Sequence, residues 1–203
     1  MSSKKAPIEF WFDFVSPYGY LASTQINEIA HDHGRTVVWK PFLLGAVFKV
    51  TGAGPLTDYP LKAPYMVHDM KRFARLLGVE FALPEKFPVS SVTASRAFYW
   101  LEAHHARLAV PFAEKVYEAF FTQGQDISSP EVVVDLICSL GVMHDEAAAG
   151  IADPAVKEKL RVVTEEAIER GVFGSPVVSV DGELFWGADR LWMVEEWLDT
   201  GGW

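Results

Sequence analysis

From Ile8 to Phe14 the chain is apolar and aromatic apart from Glu9 and Asp13, a run of strand length. Ser16-Pro17 follows as a helix start, with serine as N-cap and proline at the first helical position. The pattern predicts a helix from Pro17 to about His33, stopping at Gly34, and then a second strand over Thr36–Phe42. A helix-length crossover between them makes those two strands parallel. Gly52–Pro64 is rich in Gly and Pro and reads as a loop. Met66, Met70, Phe73 and Leu77 then recur at helical spacing, and further helices are predicted at Ser90–His105, Pro111–Thr122, Pro130–Leu140 and Asp145–Ile151. Asp153–Arg170 is a charged amphipathic helix ending at Gly171. Val177–Val180 reads as a strand, Asp181-Gly182 as a hairpin turn, Glu183–Trp186 as the returning strand, and Leu191–Leu198 as a closing helix. The order is β-α-β, an all-helical block at about 65–150, then α-β-β-α.

Composition narrows this picture. The 203 residues are half hydrophobic and 13% aromatic, enough for one sizeable core. A net charge of −9 argues against nucleic acid as a partner, while leaving room for an anionic small molecule held by a few local cations. No run reaches the ~20 apolar residues of a membrane helix. Met1–Lys5 leads into no long apolar stretch, so the cytoplasm is the expected compartment. The single cysteine, Cys138, excludes an intrachain disulfide and a Cys-x-x-Cys redox pair. Its apolar setting reads as a buried helix and an inert thiol.

Candidate chemistry gathers at two places. Ser16 stands at the mouth of the first helix in Phe12-Asp13-Phe14-Val15-Ser16-Pro17-Tyr18, where unsatisfied N–H groups favour negative charge. A thiol held there loses its proton more readily. With no cysteine at that position a thiol can come from a ligand, and a serine hydroxyl can donate to its thiolate. Ser16 is also an ordinary helix cap, and the two roles are compatible. The second place is Phe173-Gly174-Ser175-Pro176-Val177-Val178, a turn that carries an X-Pro bond into a β-branched strand. The histidines offer less. There is no Gly-x-Ser-x-Gly, and neither His31-Asp32-His33 nor His104-His105 has the i, i+4 spacing of a helical zinc site. No metal is expected. Asp189 reads first as a helix N-cap, and Lys49 and Lys62 as solvated charges unless the fold turns them into a pocket.

Together these stretches resemble the kappa-class glutathione transferases and the 2-hydroxychromene-2-carboxylate isomerases. The resemblance covers nearly the whole chain. It includes Lys40–Lys49 after the second strand, and Lys62, Tyr65 and Asp69 in Leu61–Asp69. It implies one α/β domain over 1–203, a thioredoxin-like fold with the helical block inserted, and glutathione as cofactor. Ser16 would stabilise the glutathione thiolate. Ser175, before a cis Pro176, would present its backbone to the cysteinyl part, its side chain mattering little. Trp186, Gly187, Ala188 and Asp189 would hold the γ-glutamyl end. Lys49, Lys62 and Tyr65 would face an aromatic carboxylate substrate. The implied activity is glutathione-dependent isomerisation in aromatic catabolism, with a transferase or peroxidase, or a non-catalytic binding module, as alternatives. Relatives are commonly dimers. One departure is Ala53, where the kappa class usually carries an asparagine that contacts the ligand.

Overall fold

The computed structural model describes residues 5–203; Met1–Lys4, part of the stretch read above for a leader, lie outside the described residues. Strands β1 (Ile8–Phe12), β2 (Val37–Pro41), β3 (Val177–Val180) and β4 (Glu183–Trp186) form one sheet in the order β2-β1-β3-β4. β1 pairs with β2 in parallel, while β1–β3 and β3–β4 are antiparallel. This is the thioredoxin-like arrangement. Among the described residues no helix is long and apolar enough to cross a membrane.

The crossover from β1 to β2 is two helices, α1 (Pro17–Ser23) and α2 (Ile26–Asp32), where the apolar spacing predicts one. Side chains cause the break. Ser23 Oγ donates to the Tyr20 carbonyl at 2.7 Å, Thr24 Oγ1 to the Leu21 carbonyl at 2.9 Å, and Gln25 Nε2 to the same carbonyl at 3.2 Å. These carbonyls are the acceptors a continuing helix uses, so three consecutive polar side chains compete with the ladder. After β2, α3 (Leu44–Thr51) occupies a segment with no predicted element. The predicted loop beyond it holds a 3-10 turn at Leu56–Asp58.

The helical block comprises α4 (Lys62–Leu77), α5 (Val92–His104), α6 (Ala106–Phe121), α7 (Pro130–Cys138) and α8 (His144–Ala152). Helix α6 starts five residues before Pro111, which lies inside the helix and forgoes one i→i−4 hydrogen bond there. α9 (Pro154–Glu169) and α10 (Leu191–Thr200) complete the fold. Cys138 is half-buried at the end of α7, not in the core as its apolar context suggests.

Alternation along β1 decides which side is covered by what. Phe10 and Phe12 stack at 5.1 Å on one face and meet Trp39 of β2 edge-on. Phe12 also packs against Phe98 of α5 and Tyr117 of α6, so the inserted helices seal this face with aromatic rings. Trp11 points to the other face. Lys40 Nζ lies 4.3 Å from its ring centre and the Arg170 guanidinium 5.1 Å, and both cations pair with Glu9 and Glu166. Cation–π contact and an ion-pair network thus roof the indole.

The α5–α8 contact relies on a missing side chain. A Cβ on Gly150 of α8 would stand 2.2 Å from the ring of buried Trp100. Gly150→Ala should therefore lower stability by ~1–3 kcal/mol through overpacking. Urea unfolding measures this, and an unchanged or raised midpoint would show that Trp100 has room to move.

Candidate functional site

Sheet register builds the site. β1 and β3 pair Glu9 with Ser179 and Trp11 with Val177. The same register carried two residues past the Trp11–Val177 pair sets Asp13 opposite Ser175, and the Asp13 N–H donates to Ser175 Oγ at 2.9 Å. The parallel pairing of β1 with β2 brings the start of α3 alongside, where the Leu44 N–H donates to Asp13 Oδ2 at 2.8 Å. β3 and β4 pair Val177 with Trp186, which sets Gly187 beside Pro176; the Gly187 N–H donates to the Pro176 carbonyl at 3.0 Å. Three strand ends thus deliver Asp13, Ser16, Ser175 and Gly187–Asp189 to one rim of the sheet, where ligands bind in open α/β folds.

Ser16 is buried and caps α1, its Oγ accepting from the Gly19 N–H at 3.0 Å. Its own proton goes to the Ser175 carbonyl at 2.8 Å. The Ser175–Pro176 peptide is cis. Gly19 is required by this packing: a Cβ there would meet Tyr117 Oη at 2.7 Å and Ser175 Oγ at 3.3 Å. The side chain of Ser175 therefore matters, contrary to the expectation above, because it satisfies the buried backbone N–H of Asp13.

Asp13 is 2% exposed and uses every polar atom. Besides the bonds to Ser175 and Leu44, Oδ1 accepts from the Val15 N–H at 3.1 Å. Its carbonyl accepts from the Ser16 N–H at 2.9 Å and from Tyr117 Oη at 3.2 Å. Burial pushes its carboxyl above the usual carboxylate range, opposed by the Ser91 hydroxyl and by the Leu44 and Val15 amides. Tyr117, Ser91 and the hub role of Asp13 have no counterpart in the local sequence. They sit in apolar or strand-like runs and meet only through the fold.

The rim opens into a cleft of about 1650 Å³, lined mostly by apolar side chains. Ser16, Ser175, Trp186, Gly187, Ala188 and Asp189 line it, and so do Lys49, Lys62, Tyr65 and Ala53. Pro176 is the exception among the expected site residues. It is buried behind Ser175, and its carbonyl is occupied by the Gly187 N–H. Asp189 lies in a 3-10 turn, Ala188–Arg190, before α10 and makes no cap bond; Arg190 Nη1 lies 3.3 Å from each of its carboxylate oxygens. Gly187 has φ 108°, and a Cβ there would stand 2.3 Å from Asp189 Oδ1. A Cβ on Gly174 would meet Trp186 Nε1 at 2.3 Å, so the indole lies directly over the backbone that leads to Ser175.

Lys49 and Lys62 are exposed on the far wall, Lys62 Nζ lying 4.7 Å from the centre of the Tyr59 ring. Between the walls, Tyr18 Oη donates to Asp69 Oδ2 at 3.1 Å, and Arg72 pairs with Asp69 and reaches Tyr65 Oη at 3.4 Å. Burial, then the Asp69 carboxylate, pushes the Tyr18 phenol well above its ordinary value. The histidines lie elsewhere: His33 Nε2 is 3.1 Å from Asp199, and His105 Nε2 is 2.8 Å from Glu146. Among the described residues no cluster of three metal-ligating side chains forms.

The model of the DSBA-like thioredoxin domain matches residues 7–199. The chain belongs to this family. A 2-hydroxychromene-2-carboxylate isomerase of Pseudomonas putida is 30% identical over 192 residues, covering 93% of this chain and 92% of that protein. Human glutathione S-transferase kappa 1 is 24% identical over 208 residues, with 94% and 92% covered. A solved 2-hydroxychromene-2-carboxylate isomerase superposes with a TM-score of 0.84 at 28% identity, covering 95% of this chain and 94% of that one. The relatives thus define an isomerase and glutathione-transferase branch within the thioredoxin-like proteins.

Removing one hydroxyl tests how the DSBA-like rim is held together. Ser175→Ala keeps the backbone carbonyl but removes the side-chain acceptor of the buried Asp13 N–H. It should cost ~1–3 kcal/mol in chemical denaturation. A cost near zero would mean that water replaces the hydroxyl.

Proposed function

We propose that the cleft binds glutathione and that the protein is a glutathione-dependent isomerase. It would interconvert 2-hydroxychromene-2-carboxylate and trans-o-hydroxybenzylidenepyruvate. The observation that carries this reading is the Ser16 Oγ to Ser175 carbonyl bond at the cleft floor. It couples one donor and one acceptor that a cysteinyl residue can separate and replace. The ligand's amide N–H goes to the Ser175 carbonyl, and its thiolate accepts the proton that Ser16 releases. Neither protein group is left unpaired, so the exchange avoids the cost of an orphaned buried polar atom.

The remaining groups fit the same ligand. Gly187 leaves open the space a side chain would fill beside Asp189, whose carboxylate suits an ammonium group. The cleft exceeds the ~300–1,000 Å³ of a single small-molecule site, which leaves room for an aromatic acid beside the tripeptide. In a chain of net charge −9, Lys49 and Lys62 make the far wall locally cationic and suited to carboxylates.

When bound, glutathione supplies a nucleophile that adds reversibly to a conjugated carbon, so that a double bond becomes a rotatable single bond and is then restored. Ser16 lowers the thiol pKa by donating to the charged form. Lys49 orients the substrate carboxylate. The apolar lining keeps water from the reacting centre.

Calorimetry with reduced glutathione should show binding, and Ser16→Ala should retain most of it. The variant should raise the pKa of the bound thiol, seen as lost thiolate absorbance at neutral pH. Its stability should fall by ~1 kcal/mol as the Gly19 N–H loses its cap. No binding at millimolar glutathione would favour a non-catalytic module, and an unchanged thiol titration would reduce Ser16 to a helix cap.

Turnover separates isomerase from transferase. With catalytic glutathione the wild-type protein should isomerise the chromene without net loss of free thiol, whereas conjugation consumes one thiol per product. Lys49→Ala should lower kcat/KM about ten- to a hundredfold and weaken glutathione binding less. Thiol disappearing in step with product, or an aryl halide conjugated while the chromene is untouched, would establish the kappa-type transferase reading instead.

A further inference from the structure

Addition of a thiolate to a carbon conjugated with a carbonyl moves charge across the substrate. One electron pair forms the C–S bond, and the π electrons shift onto the carbonyl oxygen. Both return when the thiol leaves, with no net proton transfer and no oxidant. The step is accelerated by a donor aimed at that oxygen. The residues assigned so far do not supply it. Ser16 serves the sulfur, Lys49 serves the carboxylate, and Ser91 lies against Asp13.

Tyr18 is the group left over. It lies two residues beyond Ser16 in the first turn of α1, half-buried, with its ring on the cleft wall. Its hydroxyl crosses to α4 and donates to Asp69 Oδ2 at 3.1 Å. Asp69 does not depend on that bond, because Arg72 holds its other oxygen. The phenol can therefore change acceptor without leaving a carboxylate unpaired. The phenol keeps its proton across the physiological range, since burial and Asp69 both oppose ionisation. It is a permanent donor and no base.

We infer that Tyr18 donates its hydroxyl to the oxyanion that forms on the substrate's carbonyl oxygen, switching from Asp69 as charge develops. This rests on the reading of the cleft as a conjugate-addition site and adds a third polar residue, after Ser16 and Lys49, to the chemistry there. The competing role for the same geometry is a simple tie between α1 and α4. The two roles differ in what Asp69 does. A tie is lost equally from either end, whereas a donor is lost only with Tyr18.

The test begins without glutathione or turnover. 5-Hydroxy-2-nitrobenzoate carries a carboxylate and a phenol whose anion absorbs in the visible, and it imitates an oxyanion near a carboxylate. Bound to the wild-type protein, this phenol should titrate about one to two pH units lower than when bound to Tyr18→Phe, the range expected for a hydrogen bond to a charged group. Asp69→Asn should titrate like the wild type or lower. With glutathione present, Tyr18→Phe should reduce kcat for isomerisation, and for addition to a simple phenyl enone, about ten- to a hundredfold. Glutathione affinity and the bound-thiol pKa should stay unchanged, and Asp69→Asn should lose much less activity. Coincident titrations in wild type and Tyr18→Phe, or equal defects in Tyr18→Phe and Asp69→Asn, would overturn the inference and leave a structural tie. A wild-type protein that shifts the nitrophenol but isomerises nothing would sink the isomerase reading while leaving Tyr18 as an oxyanion donor.

Discussion

The buried hydrogen-bond set around Asp13 is the constraint on which the site depends. One residue past β1 joins five parts of the chain: the turn into α1, the start of α3, Ser175 two residues before β3, helix α6 and, through Ser16, the cap of α1. A carboxylate so deep in the protein is unfavourable unless its lone pairs are filled by donors. Here backbone amides fill them: that of Val15 is local, and that of Leu44 reaches the carboxylate only when β1 and β2 are in register. The cost of the buried acid and the alignment of the rim are therefore the same physical fact.

That rim is half of a site, and the inserted helices provide the rest. Helices α5 and α6 seal one face of the sheet with aromatic rings. Helix α4 stands across from α1 and turns an exposed edge into a cleft. A direct polar crossing between α1 and α4 near Ser16 is the Tyr18–Asp69 hydrogen bond, with Arg72 of α4 holding Asp69 from its own side. Lys49 of α3 and Lys62 of α4 line the cleft from elements other than the turn that carries Asp189 and Arg190. The cleft carries both the Asp189 carboxylate and lysines, although the protein as a whole is acidic. Local placement of a few charges, and not net charge, sets the chemistry of the pocket.

Much of this was legible along the chain. Hydrophobic period alone separated the strands from the helices, because burying an alternating or a 3.6-residue pattern needs no knowledge of the partner. Ser16-Pro17 announced a helix start and Asp181-Gly182 a hairpin, because both act within a few residues. Errors came where short-range competition or context intervened. The hydroxyls at Ser23 and Thr24 stole carbonyls from a helix that the apolar spacing would have continued. Asp189 has the residue type of a cap but was drawn into a 3-10 turn beside Arg190.

The sequence by itself determined the element order, the helical insertion, the serine at the helix mouth and the absence of any second cysteine. These follow from local backbone preferences and from apolar spacing. Only the tertiary structure decided that Ser175 opposes Asp13, that Tyr117 and Ser91 lie against that carboxylate, and that Pro176 stands behind the wall rather than in it. Each of those contacts joins residues tens of positions apart or more. Strand register sets Ser175 against Asp13, and the packing of α5 and α6 on the sheet brings in Ser91 and Tyr117; neither is a property that a single segment carries.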